Sequence, residues 1–256
     1  SSTATVPPGN SFVTWSRRII GSALLSMTVN LLALAADAAN PWFSWDYVTS
    51  HTQELLQAGE EHVLLTVSAV VLALVVAFPL AAVVRRYRRL QGPVLALTGV
   101  LYTIPSLALI SLLWPVFGLS PVTVIIALAV YALLVVLRNT VVGLDGVSPE
   151  VVEAAQGMGM GKRQTLVKVE LPLAVPTILA GVRVATVSTV GLVTIGALVG
   201  YGGFGQLILS GFEQNFYHAQ IATATICCVL LAVIFEFLLL GVQRGVAPWT
   251  RRRAGA

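Results

Sequence analysis

The chain has 256 residues, of which 57% are hydrophobic and 10% charged, where an ordinary soluble domain carries about 25% charged residues. That composition excludes a water-soluble globular enzyme and implies an integral membrane protein. The formal net charge of +4 would suit a nucleic-acid binder on its sum alone, but the cations lie in short clusters between apolar runs, which is the pattern of a membrane surface and not of a nucleic-acid partner.

In chain order, residues 1–18 are rich in Ser, Thr, Pro and Gly and are expected to be a flexible terminus. Six apolar runs follow, roughly Ile19 to Ala36, His62 to Val84, Pro93 to Leu113, Pro121 to Val142, Val175 to Val199 and Gln220 to Val242. Each is long enough to cross about 30 Å of hydrocarbon as a helix. Their hydrophobicity is continuous and does not alternate, which excludes a β-barrel. The expected fold is an all-α polytopic membrane protein of about six spans. Its parts are an anchor helix over 19–40, an extracytoplasmic segment over 41–61, a core over 62–243 and a basic tail over 244–256.

The segment between the first two runs carries Trp42, Trp45 and Tyr47 and then an amphipathic pattern, as expected of an interfacial aromatic belt leading into a surface helix. Pro79, Pro105 and Pro115 predict kinks or broken turns in the second and third spans.

Lys and Arg set the orientation. Arg17 and Arg18 precede the first run, Arg85, Arg86, Arg88 and Arg89 follow the second, and Lys162, Arg163 and Lys168 separate the fourth from the fifth. Arg244 and Arg251 to Arg253 follow the sixth. With six crossings all of these share one face, while the opposite loops carry Asp37, Asp46, Glu54, Glu60, Glu61 and Glu213. The positive-inside rule then places both termini in the cytoplasm of a plasma-membrane protein.

Titratable groups within the runs are few. Arg138, Arg183 and Glu236 lie near the inner ends of the last three spans, where snorkelling to the interface would suffice. Arg183 and Glu236 fall at similar depth, so they could instead pair and tie the fifth span to the sixth. His51, His62 and His218 are expected at the outer interface, solvated, with no metal-ligand spacing. The adjacent Cys227 and Cys228 read as small apolar residues. No nucleophile, base or metal cluster for an intramembrane enzyme is visible.

One polar stretch interrupts this pattern. In "DGVSPEVVEAAQGMGMG", Ser148 can cap a helix, Pro149 fits its first position and Glu150 complements its positive end. A short helix outside the bilayer is predicted, with Ala154, Ala155, Met158 and Gly159 on one small-residue face open to close approach by another protein. The following "KRQTLVKVELP" is expected to be helical until Pro172 stops it. Gly157, Gly159 and Gly161 do not follow a strand, and no phosphate-binding lysine pattern is present, so nucleotide binding is not expected of this chain.

The spacing of Glu153, Ala154, Ala155, Gly159, Val169, Leu171 and Pro172 resembles the EAA-x3-G-x9-I-x-L-P signature of the membrane permeases of binding-protein-dependent ABC importers, with valine in place of isoleucine. "YTIPSLALI", "YALLVVLRNT", "GVRVATV" and "GYGGFGQLILSG" are similar to permeases for glycine betaine, choline and carnitine, over about Leu55 to Gln243. The anchor helix departs from the smaller members of that group.

The resemblance implies a type I importer bundle in which Glu153, Ala154, Ala155, Met158, Gly159, Leu171 and Pro172 form the ATPase-coupling segment. It implies cytoplasmic ABC ATPase subunits that bind ATP and Mg, a second permease subunit, an extracytoplasmic substrate-binding protein, and no cofactor or enzymatic activity in this chain. Tyr201, Gly202, Gly203 and Phe204 are candidates for an external gate meeting the binding protein. Tyr102, Pro105 and Tyr131, with Trp114, are candidates for a pathway in which aromatic faces meet a quaternary ammonium. An amino-acid permease, for methionine for example, and a passive channel remain alternatives.

Overall fold

The computed structural model describes residues 40–248. The first expected run with Arg17 and Arg18, and the tail's Arg251 to Arg253, lie outside them. Among the described residues the fold is all-helical.

Ahead of the first helix, the Asn40 side-chain amide donates to the Phe216 carbonyl at 2.7 Å and accepts from His218 N–H at 2.8 Å. A short helix α1 (Trp45–Ser50) leads into α2 (Thr52–Arg86). The expected surface helix is therefore the first turns of one 35-residue element, not a separate piece. Glu60 and Glu61 end the apolar run there without ending the helix, because both are strong helix formers. Tyr47 on α1 is buried, and burial, with Glu54 nearby, pushes its phenol up to about 12.

The third expected span is not one helix. A 3-10 turn (Arg88–Leu90) leads to α3 (Gln91–Thr103), and α4 (Ser106–Phe117) follows at an angle of 96°. Pro105 causes the break: it disfavours helical backbone at the preceding residue, and Ile104 is extended at φ −65°, ψ 127°. The other two prolines break nothing, since α2 continues through Pro79 and α4 through Pro115.

Next comes α5 (Pro121–Asp145). Gln91 at the start of α3 donates to Asp145 at its end, at 3.1 Å, and Thr123 at its start donates to the Gly118 carbonyl just after α4, at 2.7 Å. The bent pair thus runs the full length of α5 and counts as one broken crossing. A short α6 (Pro149–Gly157) and α7 (Lys162–Thr165) precede a π turn (Leu166–Glu170), α8 (Leu171–Val193) and a 3-10 turn (Thr194–Val199). Finally, α9 (Phe204–Glu213) and α10 (His218–Val246) close the bundle. Among the described residues four helical stretches are long and apolar enough to cross a membrane, five with the bent pair; the first expected run, Ile19 to Ala36, lies outside them.

Pro172 does not stop a helix, contrary to the sequence expectation. It occupies the first turn of α8, directly after the π turn, where Leu171 N–H bonds to the Leu166 carbonyl. The wider turn takes up the lost proline donor and keeps the axis running from Lys162 to Val199.

Small residues draw the helices together. Ala69, Ala73, Ala77 and Ala81 form a buried stripe on α2, packed toward Leu128, Ala132, Val136 and Leu137 of α5. On α8 a Cβ at Gly181 would lie 2.3 Å from Asn139 Cβ of α5, so that crossing needs glycine. Hydroxyls inside the bundle bond their own helix: Thr140, Thr186 and Thr189 donate to the carbonyls four residues back.

A polar cluster ties the basic end. Arg85 Nε and Nη2 both donate to Glu170 Oε2, at 2.9 and 2.6 Å, and Asp145 takes Arg85 at 3.4 Å and Arg88 at 3.0 Å. Glu170→Gln leaves Arg85 short of its main partner and should cost about 2 kcal/mol, less than a deeply buried pair because Arg85 is partly hydrated. Thermal melting of the detergent-solubilised protein checks this, and adding Arg85→Gln should recover part of the loss.

Candidate functional site

At the basic end, α6 begins with Pro149 in its first turn, as its sequence predicts, but the Ser148 hydroxyl makes no capping bond; only the Ser148 carbonyl engages, with Val151 and Val152 N–H. The helix stands off the bundle on a single buried residue, Ala155. Glu153, Ala154, Gly159 and Met158 are exposed, Met158 to 74%. Gly159 follows with φ +89° and open space around it, and its N–H bonds to the Gln156 carbonyl. That left-handed residue turns the chain from α6 into α7. Leu171 and Pro172 lie apart from this surface, at the start of α8, where Leu171 lines an apolar groove.

At the opposite end, Gly202, Gly203 and Phe204 are buried and Tyr201 half-buried. A Cβ at Gly202 would lie 2.3 Å from Ala197 N, and Gly203, at φ +52°, would meet His62 Cβ at 2.6 Å. No side chain fits either position. His62 organises this turn, and it is not the solvated histidine that its place at the start of an apolar run suggested: it is fully buried. Phe204 N–H donates to its Nδ1 at 3.3 Å, so the ring proton sits on Nε2 and is donated to the Val190 carbonyl at 2.9 Å. Glu61 accepts from Gly203 N–H at 3.3 Å. One histidine thereby joins α2, α8 and the glycine turn. Gln220 adds a second tie, donating to the Leu207 carbonyl at 2.9 Å between α10 and α9.

At the α3–α4 break, Tyr131 of α5 is buried and its hydroxyl donates to the Ile104 carbonyl, which the proline break leaves without a helical partner. Tyr102 packs edge-on against it, centroids 5.6 Å apart, and remains 44% exposed. Pro105 is exposed at the bend, and Trp114 lies on α4. The structure brings Tyr102, Pro105 and Tyr131 together at the bend, and the core around Tyr131 takes in Ile195 and Val199 of the 3-10 turn that leads to Tyr201.

Arg183 and Glu236 form an ion pair between α8 and α10. Arg183 also donates to Gln243 Oε1 at 3.1 Å, and Gln243 in turn donates to the Pro176 carbonyl at 3.1 Å. Arg138 is exposed on α5. Cys227 and Cys228 are free thiols, and no group of histidine, cysteine and carboxylate side chains able to hold a metal occurs among the described residues.

Residues 68–252 match the family described as the inner membrane component of binding-protein-dependent transport systems. The chain belongs to that family. It is 38% identical to the glycine betaine/carnitine/choline transport system permease protein OpuCD of Bacillus subtilis (strain 168), over 81% of this chain and 90% of that one. It is also 38% identical to the choline transport system permease protein OpuBD of the same organism, over 82% and 93%. The osmoprotectant import permease protein OsmW of Salmonella typhimurium (strain LT2) is 36% identical, over 79% and 96%. Among solved structures, an inward-facing MetNI methionine ABC transporter chain superposes with a TM-score of 0.70 at 21% identity, over 77% of this chain and 98% of that one. That likeness establishes the type I importer fold, and the apolar helices make this a multi-pass membrane protein of that family.

The glycine turn depends on His62 more than on any residue the sequence marks. His62→Phe fills the space but leaves the Val190 carbonyl and Phe204 N–H without that partner, at about 2 kcal/mol or more for buried backbone groups. The expected outcome is a lower melting temperature, together with faster hydrogen exchange confined to residues 200–206.

Proposed function

We propose that this chain is the permease subunit of an ATP-driven importer that carries small quaternary-amine osmoprotectants of the glycine betaine, choline and carnitine type into the cell by alternating access. The observation that carries the proposal is the standing of α6: a nine-residue helix held off the basic end by Ala155 alone, presenting Glu153, Ala154 and Met158 outward. Supporting it are relatives named for these solutes at 38% identity.

In this reading the basic end is cytoplasmic, because its cations face the side where positive charge is retained. Two copies of the fold, or this chain and a second permease, enclose the pathway. Each α6 docks on an ABC ATPase that binds ATP and Mg, and an extracytoplasmic binding protein delivers the solute. ATP-driven closure of the ATPases displaces α6, and the displacement reaches the far end along the single axis from Lys162 to Val199. Tyr201, Gly202, Gly203 and Phe204 act there as the outer gate. Tyr102 offers the one accessible ring of the aromatic pair to the quaternary nitrogen, and Tyr131 positions it.

Ala154→Trp places a large group on the docking face without straining the helix. It should leave insertion and melting unchanged while weakening ATPase association about tenfold or more. Co-purification and ATP-dependent uptake in the reconstituted transporter read both, and full uptake in this variant, or uptake without ATP, sinks the coupling role. In the same system excess glycine betaine, choline or carnitine should suppress uptake and methionine should not; the reverse moves the assignment to an amino-acid importer. Tyr102→Ala should raise the KM for a quaternary amine about fivefold, the worth of one cation–π contact, with Tyr102→Phe close to the parent.

A further inference from the structure

Two cavities adjoin at the basic end. One is an apolar groove of about 510 Å³ between α2, α5 and α8, walled by Phe78, Leu144, Leu171, Val175, Ile178 and Leu179. The other, about 540 Å³, lies between the end of α2, α6 and α7, and its walls include Arg85, Arg86, Lys162, Arg163 and Glu170. Ala82 and Leu166 line both, so the two adjoin and together make a channel-shaped surface with an apolar half and a cationic half.

The charges of the polar half do not cancel. Arg85 is taken by Glu170 and Asp145. Arg86, Lys162 and Arg163 are exposed and enter no ion pair among the described residues. Arg86 keeps only a cation–π contact with the Tyr87 ring at 5.6 Å. Three uncompensated cations therefore stand at the mouth of a groove built of hydrocarbon. A packed helix would fill the groove and leave the cations unmatched, whereas a small anion would match the cations and leave the groove empty.

We propose that this channel is a binding site for one anionic phospholipid, its phosphate held by Arg86, Lys162 and Arg163 and an acyl chain lying along Phe78, Leu171 and Ile178. The cationic half sits at the end of the apolar helices, at the level where a headgroup lies, and the apolar half reaches from there into the span. Such a lipid bridges α2 to α6 and α7, so it steadies the segment through which the ATPase acts. The site rests on membrane placement and family membership and is independent of which solute is carried.

The test is native mass spectrometry of the full-length chain, with its co-purifying subunits, extracted from bilayers of equal phosphatidylglycerol and phosphatidylcholine with identical acyl chains. Phosphatidylglycerol should be retained over phosphatidylcholine, and millimolar inorganic phosphate should not displace it. Neutralising the cations in Arg86→Gln, Lys162→Gln and Arg163→Gln should reduce retention about fivefold per charge, the equivalent of about 1 kcal/mol each near a membrane surface. Leu179→Trp, which blocks the groove and leaves every cation in place, should also reduce it. Equal retention of the two lipids by the parent protein overturns the proposal even if a variant fails to fold. Displacement by phosphate, or parental retention in Leu179→Trp, overturns it in favour of a diffuse basic surface. Retention is read without transport, so a failed uptake experiment and a failed lipid experiment remain separate results.

Discussion

The bundle depends on one guanidinium. Arg85 lies in the last turn of α2, and through Glu170 and Asp145 it reaches the π turn ahead of α8 and the end of α5. Stripes of alanine and glycine let these helices approach closely, but a smooth surface does little to fix how far one helix slides along another. Polar ties at the ends supply that register. Arg85 sets it at the basic end and His62 at the other, the first through charge and the second through two backbone groups. Between them the buried Thr140, Thr186 and Thr189 hydroxyls are satisfied within their own helices, while the Tyr131 hydroxyl of α5 reaches across to the Ile104 carbonyl at the α3–α4 break.

This separation of roles suits a protein that must change shape. The glycine turn is enclosed, with no room for a Cβ at Gly202, whereas α6 is anchored by one alanine and otherwise free to meet a partner. An enclosed turn and a lightly held helix sit at opposite ends of one continuous axis. In the proposed mechanism the first is the gate and the second the handle, and the ion pair of Arg183 with Glu236 makes α10 follow α8.

Much of this was legible in the sequence. Continuous apolar runs give the crossings because hydrocarbon tolerates little else, and the proline at 105 marks the broken one. Pro149 marks the start of α6, and Glu153, Ala154, Met158 and Gly159 are exposed there, whereas Ala155, expected on the same open face, is the residue that the helix buries against the bundle. What stayed hidden was set by contacts distant in the chain. Glu60 and Glu61 look like the edge of a span, yet α2 continues past them, so His62 enters the interior, where its partner is Val190, 128 positions away. No local pattern announces such a pairing. Pro172 misled for another reason: the rule that proline ends a helix assumes regular α geometry upstream, and the turn upstream is wider.

That wider turn has a consequence for which side chains look inward. One row of buried positions along this axis runs through Thr165, Glu170, Ala174, Ile178, Val182, Ala185, Thr189 and Val193, spaced by three or four residues except at the first step, which is five. A regular helix would have brought Val169 to the place where Glu170 stands and aimed the carboxylate away from Arg85. The extra residue acts as a phase shifter, letting the turns at the basic end and the apolar portion follow different surface patterns while sharing a single inner seam.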